Sequence, residues 1–207
     1  MKNILWIFIL LILIFGIVFF AFKGNNNNND SYIAERTVSE NNNINKNINV
    51  SDKKEKVEEK LAEFSTRLPN DTKARDDNIK LACKKLNGSV VKSGETFSFW
   101  DNLGCPTKEG GYEKAKTFTS DGEVTQSYGG GVCQISTTIY NAVLKVNGLE
   151  VKERYEHSRD VPYIEDGKDA AVSYNSADLK FKNTLDYDIK IEAEVKNRKV
   201  KIKLIRI

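Results

Sequence analysis

The feature that most constrains this chain is an uninterrupted apolar run near its N-terminus. The 19 residues from Ile4 to Phe22 carry no charge, and all except Gly16 are clearly apolar. At about 1.5 Å per residue, a helix of this length nearly spans a hydrocarbon core of about 30 Å. We therefore predict that residues 1–23 form a single-pass anchor in the cell membrane, with the following domain outside the cytoplasm.

A cleaved signal peptide is the alternative interpretation of the same run. Signal peptides usually have an apolar segment of about 7–15 residues that ends in small residues suited to cleavage. Here the run is longer, and the stretch from Phe19 to Lys23 offers no such site. The sequence therefore favours an anchor that stays in place.

The rest of the chain is predicted to divide into a tether and one domain. Residues 24–60 are rich in asparagine and in charge, and such a stretch buries too little apolar surface to fold by itself. Residues 61–207 are long enough for one ordinary domain. With 32 basic and 29 acidic residues the net charge of the chain is only +3, which does not indicate a nucleic-acid-binding protein.

Hydrophobic periodicity predicts an α+β fold, with helices packed on a mainly antiparallel sheet. Helices are predicted over 51–68, 76–86 and about 132–146, where apolar residues recur at helical spacing. Short strands are predicted where apolar and β-branched runs are bounded by turn residues; their ranges are 90–100, 151–155, 170–174, 179–182, 189–195 and 199–207. The helix that carries Cys133 is expected at the centre of the domain.

The cysteines of the chain differ in their predicted surroundings. Cys83 falls on the apolar stripe of its helix, so it is expected to be a buried structural thiol. At 100° per residue, Cys133 lies opposite the apolar stripe of its own helix and in the first turn of that helix. Unpaired backbone N–H groups and the helix dipole favour a thiolate at such a position.

These features predict a nucleophilic site built from Cys133 and His157. His157 is the single histidine of the chain and follows the Cys133 helix by one predicted strand, an order common in Cys–His sites. A carboxylate usually orients such an imidazole, and Asp169 is the first choice for that role, with Asp160 the second. Backbone N–H groups of Cys133 and Gln134 are expected to form an oxyanion hole.

Other interpretations of the same residues stay open. Cys105 and Cys133 could form a disulfide, since the compartment outside the cytoplasm is oxidising. A zinc site is disfavoured because no C-x-x-C pair exists, and the glycines at 129–131 are not followed by the Gly-Lys-Ser/Thr of a phosphate loop. We expect neither a metal nor a cofactor. The order of a helix with cysteine, a strand with histidine and a strand with aspartate is similar to that of the transglutaminase and papain-like class.

Several motifs occur in an order that is typical of a known family. They are GETFSFW (94–100), PT (106–107), GY (111–112), GGGVCQISTTIYNA (129–142), ERYEHS (153–158), GKDA (167–170) and DLKFKN (178–183). Together they resemble the VanW-like family of Gram-positive cell-envelope proteins over about residues 61–207. Cys83 and Cys105 lie outside the family pattern.

The resemblance implies a cell-envelope role, because the family is named for an accessory protein of glycopeptide-resistance clusters and often occurs with peptidoglycan-binding modules. Combined with the Cys–His pattern, this role leads to the prediction of thiol-dependent acyl transfer on a peptidoglycan peptide or another envelope peptide, with Cys133, His157 and Asp169 as catalytic residues. The alternative is a non-catalytic envelope-binding module in which Arg154 binds a carboxylate. The residues expected to contact the substrate are Gly130, Gly131, Gln134, Ser136, Thr137, Tyr140 and Arg154.

Overall fold

A computed structural model describes residues 58–207 of the chain. The predicted anchor over residues 1–23 lies outside the described residues, and so does the predicted tether up to residue 57. Within residues 58–207, no helix is both long and apolar enough to cross a membrane. The elements of this part are, in chain order, β1 (Glu59–Arg67), α1 (Lys73–Leu86), β2 (Ser89–Val91), β3 (Thr96–Ser98), α2 (Phe99–Leu103), β4 (Lys114–Phe118), β5 (Val124–Tyr128), α3 (Cys133–Val143), β6 (Leu149–Glu153), β7 (Lys180–Asn183), β8 (Ile189–Lys196) and β9 (Lys199–Arg206).

The strands form antiparallel sheets that carry the helices. The largest sheet has the strand order β1-β9-β8-β2, a second has the order β3-β7-β6, and β4 pairs with β5. Helix α1 packs on β8, and α3 packs on β1 and β9. The predicted α+β fold, with helices on a mainly antiparallel sheet and the Cys133 helix at its centre, is confirmed.

The β8–β9 hairpin supplies much of the apolar face beneath the helices. Ile191 pairs with Leu204 and both are fully buried, while the residues between buried positions point away from the core. Asn197 and Arg198 join the strands with φ angles of 51° and 55°. Positive φ at both central residues is what a tight hairpin turn needs to match the strand twist. The alternation predicted for these two strands is confirmed.

The helix predicted over 51–68 is wrong in its described part, where the chain forms β1. Ala62 and Thr66 are buried, and the Thr66 hydroxyl lies 2.8 Å from that of Thr138 on α3. The face with these two residues also holds Phe64, which is only partly buried, so a single large apolar side chain marks the alternation. Pairing with β9, far along the chain, supplies the hydrogen bonds that override the local helical spacing.

The two other predicted helices exist with shifted ends. Helix α1 begins at Lys73 rather than at Asp76, because the Thr72 side chain accepts a hydrogen bond from the Arg75 N–H and caps the helix. Helix α3 ends at Val143, short of the predicted end, and is followed by turns. The short helix α2 was not predicted.

Differences in the strands are larger and matter more for the site. The strand predicted over 170–174 is reduced to two isolated pairs, Tyr155 with Ala171 and Ser173 with Ala177. The β4–β5 hairpin was not predicted, because its strands are mostly exposed and polar and so carry little apolar signal. The long irregular segment between β6 and β7 crosses the domain next to α3.

The stacked pair Phe97 and Phe181 gives a test of the core. Their ring centroids are 4.9 Å apart, and Phe181 is fully buried. We expect Phe181→Ala to lower the free energy of unfolding by about 3–5 kcal/mol, since it leaves a cavity. The control Val90→Ala, at a position that is 45% exposed, should change it by less than about 0.5 kcal/mol. Urea denaturation measures both, and equal losses would contradict this packing.

Candidate active site

The glycines before α3 bring its N-terminus close to two other elements. A Cβ on Gly130 would lie 2.5 Å from the carbonyl oxygen of Ala115 on β4. Gly131 has a φ of +110°, and a Cβ there would lie 2.9 Å from Cγ of Arg75 on α1. Side chains at these positions would push α3 away from β4 and α1. Gly130 therefore serves backbone packing, whereas Gly131 also lines the groove that contains Cys133.

Cys133 is the first residue of α3 and lines a groove of about 1280 Å³. Its thiol is half-buried and lies 3.3 Å from the carbonyl oxygen of Val172. Among residues 58–207 no acceptor is assigned to the Cys133 backbone N–H, whereas the Gln134 N–H donates to Gly131 at 3.0 Å. Of the two donors predicted for an oxyanion hole, Cys133 is thus the one that is available in this conformation.

His157 lies in the same groove and is held by a buried carboxylate. Its ring Nδ1 is 2.5 Å from Oδ2 of Asp169, and its backbone N–H donates to the same oxygen at 2.7 Å. With Nδ1 engaged, Nε2 is the ring nitrogen left for Cys133. Neither His157 nor Asp169 lies on a strand, so the predicted helix–strand–strand order is wrong. The likeness to the transglutaminase and papain-like class stays a prediction.

The electrostatics of the three residues are coupled. Burial lowers the pKa of His157, but hydrogen bonds and charge from Cys133 and Asp169 outweigh it, so this pKa lies above the ordinary value of 6.5. Burial raises the pKa of Asp169, but hydrogen bonds from the backbone and ring of His157 prevail and lower it. These two shifts favour a charged imidazole next to the Asp169 carboxylate.

Arg154 fixes Asp169 rather than facing the groove. Its Nη2 donates to Oδ1 of Asp169 at 3.0 Å and to the Gly167 carbonyl at 2.9 Å, and its Nε donates to the Asp169 carbonyl at 2.7 Å. The guanidinium also lies over the ring of Tyr140, 5.2 Å from its centroid. Arg154 and Tyr140 are therefore positioning residues behind the site. The second-choice orienter, Asp160, is exposed and lines a smaller neighbouring cavity of about 240 Å³.

The polar face of α3 clamps the segment that carries Asp169. Ser136 donates to the Ala170 carbonyl at 2.6 Å, Thr137 accepts from the Ala170 N–H at 2.9 Å, and Asn141 donates to the Lys168 carbonyl at 2.7 Å. All three side chains are buried. Ser136 and Thr137, predicted to contact substrate, thus act on the fold, and Asn141 was missed although it belongs to the same helix face.

The Gln134 side chain is likewise fully hydrogen-bonded to residues inside the domain. Its amide nitrogen donates to the Thr66 hydroxyl at 3.0 Å and to the Arg67 carbonyl at 2.9 Å, and its amide oxygen accepts from Arg75 at 3.0 Å. The side chain is fully buried. Gln134 therefore ties α3 to β1 and α1 and does not reach the groove.

Aromatic side chains that the sequence analysis did not select line the groove. They are Trp100, Phe118, Tyr128, Tyr155, Tyr163 and Tyr174. The ring of Tyr163 meets that of His157 edge-on at 6.5 Å, and burial raises the pKa of its hydroxyl. Trp100 belongs to the GETFSFW motif and Tyr155 to the ERYEHS motif. The motifs could therefore have pointed to these two groove residues, whereas a search for nucleophiles, bases and acids does not select aromatic side chains.

The β4–β5 hairpin closes one side of the groove. The Ser158 hydroxyl donates to the Thr119 carbonyl at 3.0 Å, and Arg159 donates to the Gly122 carbonyl at 3.3 Å. The Arg159 guanidinium also lies over the ring of Phe118, 5.0 Å from its centroid. We call this contact between the hairpin tip and residues 158–159 the strap.

The cysteines are free thiols with different exposures. Cys83 is buried, as predicted, and burial raises its pKa to about 12. Cys105 is exposed and lines the same groove as Cys133, but the two are not joined, so the disulfide alternative is not adopted here. Among residues 58–207, no cluster of histidine, cysteine and acidic side chains is arranged to hold a metal ion.

Comparisons with known proteins cover most of the described residues. A family model described as VanW like protein matches residues 74–205. A Bacillus subtilis (strain 168) protein named uncharacterized protein YoaR is 38% identical over 136 residues, which are 66% of this chain and 44% of that protein. The Vancomycin B-type resistance protein VanW of Enterococcus faecalis (strain ATCC 700802 / V583) is 34% identical over 130 residues, 59% of this chain and 46% of that protein. The chain thus spans less than half the length of either relative, and no solved structure gives a significant match.

The single histidine makes the His157–Asp169 pair directly measurable. NMR titration of the wild type should give a pKa above 6.5 for His157. Asp169→Asn should lower this pKa by roughly 1–3 pH units, because the carboxylate that favours the imidazolium is lost while the burial remains. Asp160→Asn is the matched control and should leave the titration unchanged. A lowered pKa in the control alone would make Asp160 the orienting carboxylate.

Proposed function

Because this chain belongs to the VanW-like protein family, we propose that it acts in the cell envelope as a thiol-dependent acyl transferase or hydrolase on a peptidoglycan peptide or another envelope peptide. The observation that carries the proposal is the placement of Cys133 and His157 in one groove, with His157 hydrogen-bonded to the buried Asp169. A nucleophile, a base and a carboxylate that orients the base are the parts such chemistry needs.

The groove suits a peptide better than a small metabolite. Small-molecule sites usually enclose about 300–1,000 Å³, and this groove measures about 1280 Å³. Its walls offer aromatic rings and backbone carbonyls, which can pack on and hydrogen-bond to an extended chain. The relative from Enterococcus is named as a vancomycin resistance protein, and this name supports an envelope substrate.

The proposed reaction passes through an acyl-enzyme. His157 takes the proton of the Cys133 thiol, and the thiolate attacks the carbonyl carbon of an amide while the Cys133 N–H donates to the developing oxyanion. As the carbon–nitrogen bond breaks, the imidazolium gives its proton to the leaving amine. Water or a second amine then attacks the thioester, His157 takes the proton of that nucleophile, and the thiol is restored.

A non-catalytic binding module is the second candidate, favoured by the aromatic lining of the groove. Trp100 and Tyr174 pack edge to face with centroids 5.6 Å apart, and Tyr174 and Tyr155 are exposed. Such rings can hold a ligand without any chemistry. In this candidate, the reactivity of Cys133 would be incidental.

The thiol reactivity of Cys133 separates the two candidates. In the acyl-transfer candidate, His157→Gln should slow iodoacetamide alkylation of Cys133 near pH 7 by roughly tenfold, because the imidazolium that stabilises the thiolate is gone. Peptide-resolved mass spectrometry reads each cysteine separately. Cys105, which is exposed, is the internal control and should react at the same rate in both proteins, and melting temperatures exclude unfolding. Equal Cys133 rates in wild type and variant would favour the binding module.

We further propose that the domain lies outside the cytoplasm, held by an anchor at residues 1–23. The support is the apolar run from Ile4 to Phe22. Full-length protein should fractionate with membranes, and protease added to intact protoplasts should remove the domain. A mature form that lacks residues 1–23 and is released into the medium would be the contrary result.

A further inference from the structure

Arg75 is a buried cation in the groove with unused hydrogen-bonding capacity. It lies in the first turn of α1, its side chain is 8% exposed, and it lines the groove with Cys133. Nη2 donates to Gln134 at 3.0 Å, and Nε is 3.7 Å from Oδ2 of Asp71. Nη1 has no partner among residues 58–207.

This arrangement leaves the charge of Arg75 incompletely matched. A buried guanidinium normally has both a counter-ion and acceptors for its N–H groups. The contact with Asp71 is too long for a hydrogen bond, and Gln134 offers only a neutral amide oxygen. A carboxylate on a ligand would supply both the missing charge and the missing acceptor, and planar carboxylates match the fork of an arginine.

Other cations near the site are less suited to this role. The guanidinium of Arg154, which the sequence analysis assigned to a carboxylate, is occupied by Asp169, Gly167 and Glu156. Lys116 also lines the groove, but it is exposed on β4. Arg75 is the groove cation that neighbouring residues already hold in place.

The position of Arg75 determines where a carboxylate bound to it would lie with respect to Cys133 and His157. Its Cγ lies 2.9 Å from where a Cβ on Gly131 would be, two residues before Cys133. Its guanidinium is 6.0 Å from the ring centroid of Tyr163, and that ring meets His157 at 6.5 Å. A ligand group at Arg75 therefore lies in the same groove as Cys133 and His157, on the other side of the Tyr163 ring from His157 or beside it.

We propose that Arg75 forms an anion subsite that binds the C-terminal carboxylate of the substrate peptide, so that the bond attacked lies close to a free peptide end. The inference rests on the proposed function for the identity of the groove as a peptide site. It narrows the substrate class to peptides with a free C-terminal carboxylate.

The test compares two peptides on full-length protein with the Cys133→Ala change, which cannot form an acyl-enzyme. A synthetic stem pentapeptide with a free C-terminal carboxylate and the same peptide as its C-terminal amide are titrated by calorimetry. The acid should bind roughly tenfold more tightly than the amide. Equal affinities, or no binding of the acid, would overturn the subsite without any Arg75 variant being needed.

Variants then assign the preference to Arg75. Adding Arg75→Gln should bring the affinity for the acid down to that of the amide, and Arg75→Lys, which keeps the charge, should retain part of the preference. Lys116→Gln removes the same charge from the same groove and should change the preference by less than about twofold. Loss of the preference in Lys116→Gln and not in Arg75→Gln would place the subsite at Lys116 and refute the assignment.

The same two peptides distinguish failure of the Arg75 subsite from failure of the proposed acyl transfer. A preference for the acid in Cys133→Ala, with no acylation of Cys133 in the wild type, would support the subsite and count against the enzyme. Acylation of wild-type Cys133 by acid and amide at equal rates would support the enzyme and overturn the subsite.

Discussion

The organisation of the site depends on one buried carboxylate. Asp169 accepts hydrogen bonds from the backbone and ring of His157 and from Arg154, and a buried charge with fewer partners would be costly. Its main chain is fixed as well, because the next residue, Ala170, is bonded to α3 through Ser136 and Thr137. These bonds hold the irregular segment between β6 and β7 against the helix that carries Cys133. They also orient the His157 side chain, although His157 itself is not part of a strand.

Two of the three site residues and the fold class could be predicted from the sequence with a physical reason. Cys133 and His157 could be selected because the chain has only 3 cysteines and 1 histidine, so the position of each carries information. Asp169 is one of many acidic residues and could be selected only by its position after His157. Asp169 was preferred to Asp160 because it opens the strand predicted over 170–174, which the folded domain reduces to isolated pairs. The physical reason, a buried Asp169 against an exposed Asp160, appears only in the folded domain. The fold class followed from apolar alternation in β8 and β9, which local sequence displays directly.

The residues that sequence reasoning misassigned share a physical cause. Polar residues near a candidate nucleophile at the start of a helix are expected to face solvent or substrate, and Gln134, Ser136 and Thr137 were predicted to contact the substrate. In the folded domain a second layer of chain covers this part of the helix, so these side chains satisfy buried backbone groups instead. Non-local pairing likewise explains β1, whose partner strand β9 lies at the other end of the domain. The alternation of Ala62, Phe64 and Thr66 is too weak in apolar character to outweigh the helical spacing of Leu61, Phe64 and Leu68 in the local pattern.

The strap also couples the shape of the groove to the position of the imidazole. The Ser158 hydroxyl and the Arg159 guanidinium hold the tip of the β4–β5 hairpin to the two residues that directly follow His157. One wall of the groove and the main chain of His157 are therefore parts of a single bonded unit. A substitution in the exposed hairpin would alter the orientation of His157 as well as the width of the groove.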